Sequence, residues 1–417
     1  MNVVLIVDPI SSGAFLAPRI HARNKKCIAL ISYPNVPESM LSTFRQQDFE
    51  KVFTLEKGIS STISEIESFL HGRPEAVICG AEPGVEITDY LAKNWGLIGN
   101  SADSSHLRRN KFFMQEALFQ HQLASVPSFK SNDIDQIVSW ATQQSFQNFV
   151  LKPLHSLGTD QVFFCHNQND IKEYASEVLG KKNLIGKINQ EVLIQKYLSG
   201  TEYVVDAVSY HGKHYITDIA VYSKERANDS AFVYRQMTFI DPASQIEIKH
   251  YIEQVLNALD VQYGPSHNEL ILTTEGTVLL ETGARLHGGL GPKIIEACCS
   301  VSLIDLTVDA YLDQAAFERK TRCPATLKRS ATELFLVNKK QGWLSQNNLE
   351  KEAKKLSSYY LHSCSVEVNQ KIAKTIDLMS SPGSIVLLDE DPVQIHKDIE
   401  RIHQIEDGGG FFEIQTI

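Results

Sequence analysis

Apolar and polar positions first divide this chain into an alternating front half. Val3–Val7 is a continuous apolar run, as are Cys27–Ser32, Val52–Leu55 and Ala76–Cys79, each separated from the next by polar or helical spacers. Buried strands that alternate with helices at this spacing predict a parallel α/β sheet. The turn Asp8–Gly13 falls at a strand's carboxyl end, where such sheets bind ligands, but a plain strand-to-helix turn is the better reading of it. A helical stretch spans Phe112–His121. Phe149–Pro153 and Gln161–Phe164 read as strands around a polar loop. Glu191–Ile194 and Tyr203–Val208 read as strands joined by a short connector containing a glycine. Toward the C-terminus, Glu333–Val337 and Ser384–Leu388 read as strands and Pro392–Gln404 as a charged helix. The triple glycine Gly408–Gly410 has no following helix, so it reads as a turn and not as a phosphate loop.

The segment from Glu269 to Gly289 carries the clearest chemistry. Alternation over His267–Leu272 and the apolar run Thr277–Leu280 predict a hairpin, with Thr273–Gly276 as its turn. Glu269 and Glu281 then sit side by side. Two acids at the end of an apolar strand pair are costly unless a cation neutralises them. Hard oxygens in a cleft suit Mg²⁺, which takes one or two carboxylates and leaves its other positions to water and phosphate. A simple four-residue turn would pair Glu269 with Leu280 and point the acids apart, so a bulge or a five-residue connection is expected. Arg285, four residues past the second acid, supplies a permanent charge and a planar fork that suits phosphate.

Other candidates lie upstream. Lys152 ends the strand Phe149–Pro153, beside a loop carrying Ser156, Gly158 and Thr159. An ammonium and backbone N–H groups there can meet a triphosphate, although a lysine at a turn is commonly just exposed. The connector Gln195, Lys196, Tyr197 and Leu198 can offer backbone groups to an adenine edge, and Glu202 can reach a ribose hydroxyl. Arg108, Arg109 and Lys111 open the helix after residue 110 and could meet phosphate or simply cap it. His267 and His287 flank the acids, and either could orient a second substrate or accept an amine's proton. Gly288 and Gly289 leave room near that site.

Taken in this order, these segments resemble the ATP-grasp superfamily of carboxylate–amine ligases, over almost the whole chain. The resemblance implies an α/β and α+β architecture. Residues 1–100 would form a Rossmann-like pre-ATP-grasp domain, 101–187 the small lobe, 188–325 the large lobe with the metal site, and 326–417 a C-terminal capping region. It implies ATP binding by Lys111, Lys152 and the loop with Ser156, Gly158 and Thr159, which would close as a lid around His155–Asp160. Gln195–Leu198 would serve as the adenine hinge, with the backbones of Lys196 and Leu198 reading the base, and Glu202 as the ribose acid. Mg²⁺, as one or two ions or replaced by Mn²⁺, would bind Glu269 and Glu281, with Arg285 on the transferred phosphate. ETGARLHGG, with His267 two residues before the first acid, is similar to the L-amino-acid (dipeptide) ligases. So is the segment from Gly80 through Glu82 and Gly84 to Gly99–Asn100. Glu82, His287, Gly288 and Gly289 are thereby expected at the substrate. One departure stands out: Gly283 occupies the place of the usual asparagine ligand.

The resemblance therefore implies amide formation between two small molecules, a carboxylate and an amine, through an acylphosphate, with ADP and phosphate released. A homodimer is usual for such ligases. Ligases acting on D-alanine, a purine precursor or a tailored peptide share the pattern, and so would an ATP-binding regulator that has lost turnover. Composition narrows the field further. A net charge of −10 disfavours nucleic acid and anionic membranes as partners. Seven cysteines without a C-x-x-C pair read as reduced thiols of a cytoplasmic protein. Met1–Val7 lacks a basic start and a cleavage site, so it reads as a strand and not as a signal peptide. No apolar run approaches the roughly 20 residues that span a bilayer.

Overall fold

The computed structural model describes residues 2–33, 41–156, 160–184, 186–228 and 231–415. The four expected N-terminal strands form one parallel sheet, in the order β3 (Val52–Thr54), β2 (Lys26–Ile31), β1 (Val3–Val7), β4 (Ala76–Cys79). Its central strand is apolar on both faces because both are covered. Val3, Leu5 and Val7 pack with the helices Ile59–Leu70 and Val85–Trp95, whereas Val4 and Ile6 pack with Leu16–His21 and with helices from the second half of the chain.

A small antiparallel sheet follows, made of β5 (Ser128–Ser131), β6 (Phe149–Pro153), β7 (Phe163–Cys165) and β8 (Val192–Lys196), ordered β5-β8-β6-β7. The strand near residue 191 therefore completes the small sheet, by pairing with β5 and β6, instead of opening the large one. The large sheet has eight strands. β9 (Thr201–Tyr210), β10 (Lys213–Asn228), β11 (Ala231–Ile240), β12 (Gly264–Thr273) and β13 (Gly276–Gly283) run in the order β13-β12-β9-β10-β11. β14 (Ser330–Phe335), β18 (Gly383–Asp389) and β16 (Tyr359–Cys364) extend the same sheet beyond β11. The C-terminal region is thus continuous with the large sheet. It adds a three-stranded sheet of β15 (Gly342–Asn347), β17 (Lys371–Ile372) and β19 (Phe412–Gln415), and the helix Pro392–Asp407.

Strand alternation decides where the site falls. On one face of the large sheet, Val205, Ala207, Leu270 and Leu279 pack against the helix Ile246–Ala258 and Lys111–Gln120. The opposite face carries Val204, Val208 and Ala220 at its apolar part, packed toward the N-terminal sheet. Glu202 and Asp206 share that face on β9, as do His267 and Glu269 on β12.

One buried arginine ties the N-terminal part to the rest. Arg108 is fully buried and donates to Asp89 Oδ2 at 2.8 Å, to Leu259 O at 2.9 Å, to Asp260 O at 3.0 Å and to Ser101 O at 2.6 Å. Arg108 is therefore a structural clamp and does not face phosphate. Arg108→Met should leave Asp89 uncompensated and cost about 3–5 kcal/mol. Urea unfolding measures this, and a loss under about 1 kcal/mol, the scale of a surface pair, would contradict the clamp.

Candidate active site

The hairpin places its acids as the parity argument requires. Glu269 lies directly opposite Glu281, and a register shift between Glu269 and Leu270 absorbs Leu280 as an extra residue. The expected bulge is therefore present, and Thr274–Glu275 forms a two-residue connection. Lys111, first residue of the helix Lys111–Gln120, donates to Glu281 Oε1 at 2.9 Å. Its neighbour Asn110 caps that helix through Phe112 N and Phe113 N. Burial would raise the Glu269 carboxyl, but the hydrogen bond and charge of His267, with Lys224 and Arg285, outweigh it and hold the group at about 2.

Asp206 organises the next layer. It lies opposite His267 across β9 and β12, accepts from His267 Nδ1 at 2.8 Å through Oδ1, and accepts from His287 Nδ1 at 2.6 Å through Oδ2. The two imidazole centroids are 4.4 Å apart. Burial works against a charge on His267, yet Asp206 and Glu269 raise its pKa to about 9, so it is imidazolium at neutral pH. Burial and the neighbouring His267 lower His287, which stays neutral. His267 Nε2 lies 3.4 Å from Glu269 Oε1, so one cation bridges Asp206 and Glu269. Facing donor atoms of Asp206, His267 and His287 lie within 4.8 Å of one another, a set that could hold a transition ion. In this structure they satisfy one another by hydrogen bonds.

Glu82 enters from the N-terminal part. It accepts from Arg285 Nε at 2.9 Å and pairs with Arg109, and these cations hold its carboxyl below the ordinary range against the effect of burial. Gly283 explains how Glu82 can come so close: a Cβ there would lie 2.6 Å from Glu82 Oε2. Where the resembled family carries asparagine, this chain carries an incoming carboxylate.

The nucleotide candidates lie on adjoining elements. Glu202 pairs with Lys224 and accepts from Tyr234 Oη at 3.3 Å. Gln195 is buried and its amide donates to Ser128 Oγ at 2.9 Å. Lys196 stands over the Phe146 ring, and its N–H is spent on Pro127 O at 3.0 Å. Tyr197 meets Phe164 edge-to-face, and Leu198 is half-buried beyond it. Gly200 is glycine of necessity, since a Cβ would lie 2.3 Å from Leu272 O. Ser156 donates to Asp160 Oδ2 at 2.6 Å, whereas Gly158 and Thr159 lie outside the described residues.

One cleft joins Glu82, Ser156, His267, Glu269, Glu281 and Arg285. Tyr222, Tyr234, Gly283 and Leu378 complete its lining. His287 lies behind this wall, against the His267 ring and hydrogen-bonded to Asp206. Gly289 adopts φ +57° and donates from its N–H to Ser11 Oγ at 3.4 Å, and a Cβ on Gly288 would meet open space. Sequence reasoning did not single out Asp206, Lys224, Tyr222, Tyr234 or Leu378. Asp206 had a signal, as a lone acid in the apolar run Val204–Val208 on the same parity as Glu202.

Lys152 titrates unusually. Burial, then repulsion from Lys111, push its ammonium down to about 8, against the pull of Glu281, Glu269 and Glu202. The free protein should thus lose this proton as pH rises through about 8, while a bound triphosphate favours the charged form. Nucleotide binding near pH 9 should therefore take up protons, and near pH 6.5 take up none from this group. Calorimetry in buffers of different ionisation enthalpy reads the uptake. Lys152→Met should abolish it and weaken ATP by about tenfold or more. Equal uptake in both proteins would remove Lys152 from the phosphates.

A family model for the ATP-grasp domain matches residues 145–293. Dapdiamide A synthase of Enterobacter agglomerans is 28% identical over 415 residues, covering 97% of this chain and 96% of its own length. An L-amino acid ligase from Bacillus licheniformis superposes with a TM-score of 0.78 at 14% identity, covering 100% of this chain and 99% of its own. The biotin carboxylase domain of the Hydrogenobacter thermophilus 2-oxoglutarate carboxylase, solved with MgADP, gives 0.64 at 12% identity over 99% and 90%. Bulge-aligned acids, flanking lysines and the arginine beyond them sit on the fold these proteins share, and the chain carries an ATP-grasp domain over residues 145–293.

Proposed function

We propose that this protein is an ADP-forming ligase that joins the carboxylate of one amino acid to the amine of another. The observation that carries this reading is the pairing of Glu269 with Glu281 on one sheet face, inside a ring of Lys111, Lys152, His267 and Arg285. A likeness to dapdiamide A synthase over nearly the full length supports amide formation. ATP with Mg²⁺ is the family's usual nucleotide and ion.

A carboxylate does not react with an amine at neutral pH, because oxide would have to leave. Moving the γ-phosphoryl of ATP onto a carboxylate oxygen breaks the β–γ bridge, releases ADP and leaves an acylphosphate. The amine then attacks the acyl carbon, phosphate departs and the amine loses a proton. For these steps the chain supplies positioning and charge. Lys111 and Lys152 are assigned to the triphosphate, and Glu202 to the ribose. Gln195, Tyr197 and the backbones of Lys196 and Leu198 are assigned to the base. The Ser156–Asp160 loop would exclude water, which otherwise hydrolyses the acylphosphate. Glu269 and Glu281 are hard oxygen donors on one face and fit Mg²⁺, which when bound neutralises charge on the phosphates. Gly283 offers no side-chain ligand, so any second ion would rest on these same acids, water and phosphate.

Arg285 is assigned to the transferred group, which its planar fork suits, and Glu82 beside it to a substrate ammonium. Imidazolium His267 holds Glu269 and cannot accept a proton at neutral pH. Neutral His287 retains that capacity. A homodimer belongs to this proposal and would be read by size-exclusion light scattering.

The decisive assay is release of ADP and phosphate from ATP and Mg²⁺ with pairwise amino-acid mixtures. Activity should require both a carboxylate and an amine, and finding AMP and pyrophosphate would sink the mechanism. Arg285→Lys should lower kcat by about 10²-fold with a smaller change in ATP affinity, because lysine lacks the planar fork. Wild-type turnover in that variant would refute the role of Arg285 and leave the reaction type standing.

A further inference from the structure

Among the described residues, the lining of the cleft is almost wholly polar or aromatic. It consists of acids, an arginine, a histidine, a serine, a glycine and two tyrosines, with a single aliphatic side chain, Leu378. Leu378 comes from the C-terminal region, more than ninety residues after the last of the other lining groups. It is half-buried and belongs to none of the hydrophobic clusters among the described residues. Packing of the fold therefore does not explain it.

The turn that carries Leu378 is tightly fixed. Ser380 N donates to Asp377 Oδ1 at 2.8 Å, and Ser380 Oγ accepts from Ile376 N at 2.9 Å and Asp377 N at 3.0 Å. Upstream, Thr375 N donates to Asn338 O at 2.9 Å, and Asn338 N donates back to Thr375 Oγ1 at 2.9 Å. Downstream, Ser381 Oγ donates to Leu336 O at 2.8 Å. The chain thus spends a local hydrogen-bond set on holding apolar side chains away from a core. Ile376 and Met379, which flank Leu378, are 50% and 47% exposed. An aliphatic wall of this kind is complementary to an apolar group and penalises a charged one, which would lose hydration there without a partner.

We propose that Leu378 is a specificity-determining residue, selecting a substrate amino acid with an apolar side chain. This rests on the ligase reading given above and adds the class of side chain. Glu82, Arg285 and the metal acids hold the charged backbone groups of the substrates at one wall of the cleft, and Leu378 meets the side chain at another. Either the acid or the amine partner could carry that side chain, and the shared chemistry is the apolar surface.

The test uses the full chain as wild type, Leu378→Ala and Leu378→Lys. Initial ADP release is measured while the acid partner is varied over alanine, valine, leucine, phenylalanine and aspartate at a fixed saturating amine, and then the reverse. The wild type should prefer the larger apolar side chains in one of the two series, which identifies the partner. Leu378→Ala should raise KM for those amino acids by about tenfold, as expected for lost aliphatic contact, while alanine and ATP change little. Leu378→Lys should move the preference toward aspartate. Thermal melting confirms that both variants fold, as the half-exposed position predicts. Unchanged selectivity in both variants overturns the proposal while the ligase reading stands. A wild-type preference for charged side chains, or a KM rise spread equally over every amino acid and ATP, overturns it as well. No ADP release from any pair with the wild type overturns the ligase reading and this inference together.

Discussion

Charge balance among buried carboxylates is the constraint on which the site depends. Glu82, Glu202, Asp206 and Glu269 all lie at one end of the large sheet, where desolvation alone would protonate them. Specific cations prevent this for three of the four. Arg109 and Arg285 serve Glu82, imidazolium His267 serves Asp206 together with the hydrogen bond from neutral His287, and His267 with Lys224 serves Glu269. Glu202 is the exception, since burial and the charge of Glu269 outweigh Lys224 and leave its carboxyl raised. Arrangements of this sort are poor sources of net stability, because desolvation offsets most of the attraction. What they fix is geometry: removing any one partner would strand a buried charge, so the side chains have little freedom to move apart.

Much of this was legible before the fold was known, for a reason specific to strands. Glu269 and Glu281 are close in sequence, and two-residue periodicity alone showed that they could share a face only through a bulge or a longer turn. The four N-terminal strands were legible as continuous apolar runs because both faces of that sheet are covered. Long-range pairing was not legible. Nothing local says that Val192–Lys196 pairs with Ser128–Ser131 and Phe149–Pro153, and the boundary expected at residue 188 separates it from them in sequence. Lys224 and Tyr234 meet Glu202 only after β10 and β11 have been laid beside β9, and neither residue carries a motif. Leu378 sits in a short turn between strands, with no local pattern that ties it to the distant cleft.

Arg108 and Arg109 show why residue type alone misleads. Adjacent in sequence and equally basic, they have separate duties. Arg108 is consumed by Asp89 and three backbone carbonyls, whereas Arg109 turns to Glu82 at the edge of the cleft. Burial alone does not separate them, because both are buried. Their partners do: carbonyl oxygens mark a structural clamp, and a carboxylate that also binds Arg285 marks the site.

Gly283 is the residue through which these threads meet. Loss of the usual asparagine, considered in isolation, reads as a damaged metal site. In the folded chain, however, Glu82 occupies the space beside Gly283, where a Cβ would lie 2.6 Å from the carboxylate oxygen that accepts from Arg285. The N-terminal part is thereby coupled to the hairpin of Glu269 and Glu281 through one carboxylate and two arginines. A protein that had merely lost turnover would have no cause to fill the vacated space with a charged group that needs two cations to stay ionised. Replacement of a neutral side chain by an acid from another segment keeps the cleft polar and adds a group suited to an ammonium. That is the direction expected of a site adapted to a substrate, not of one abandoned.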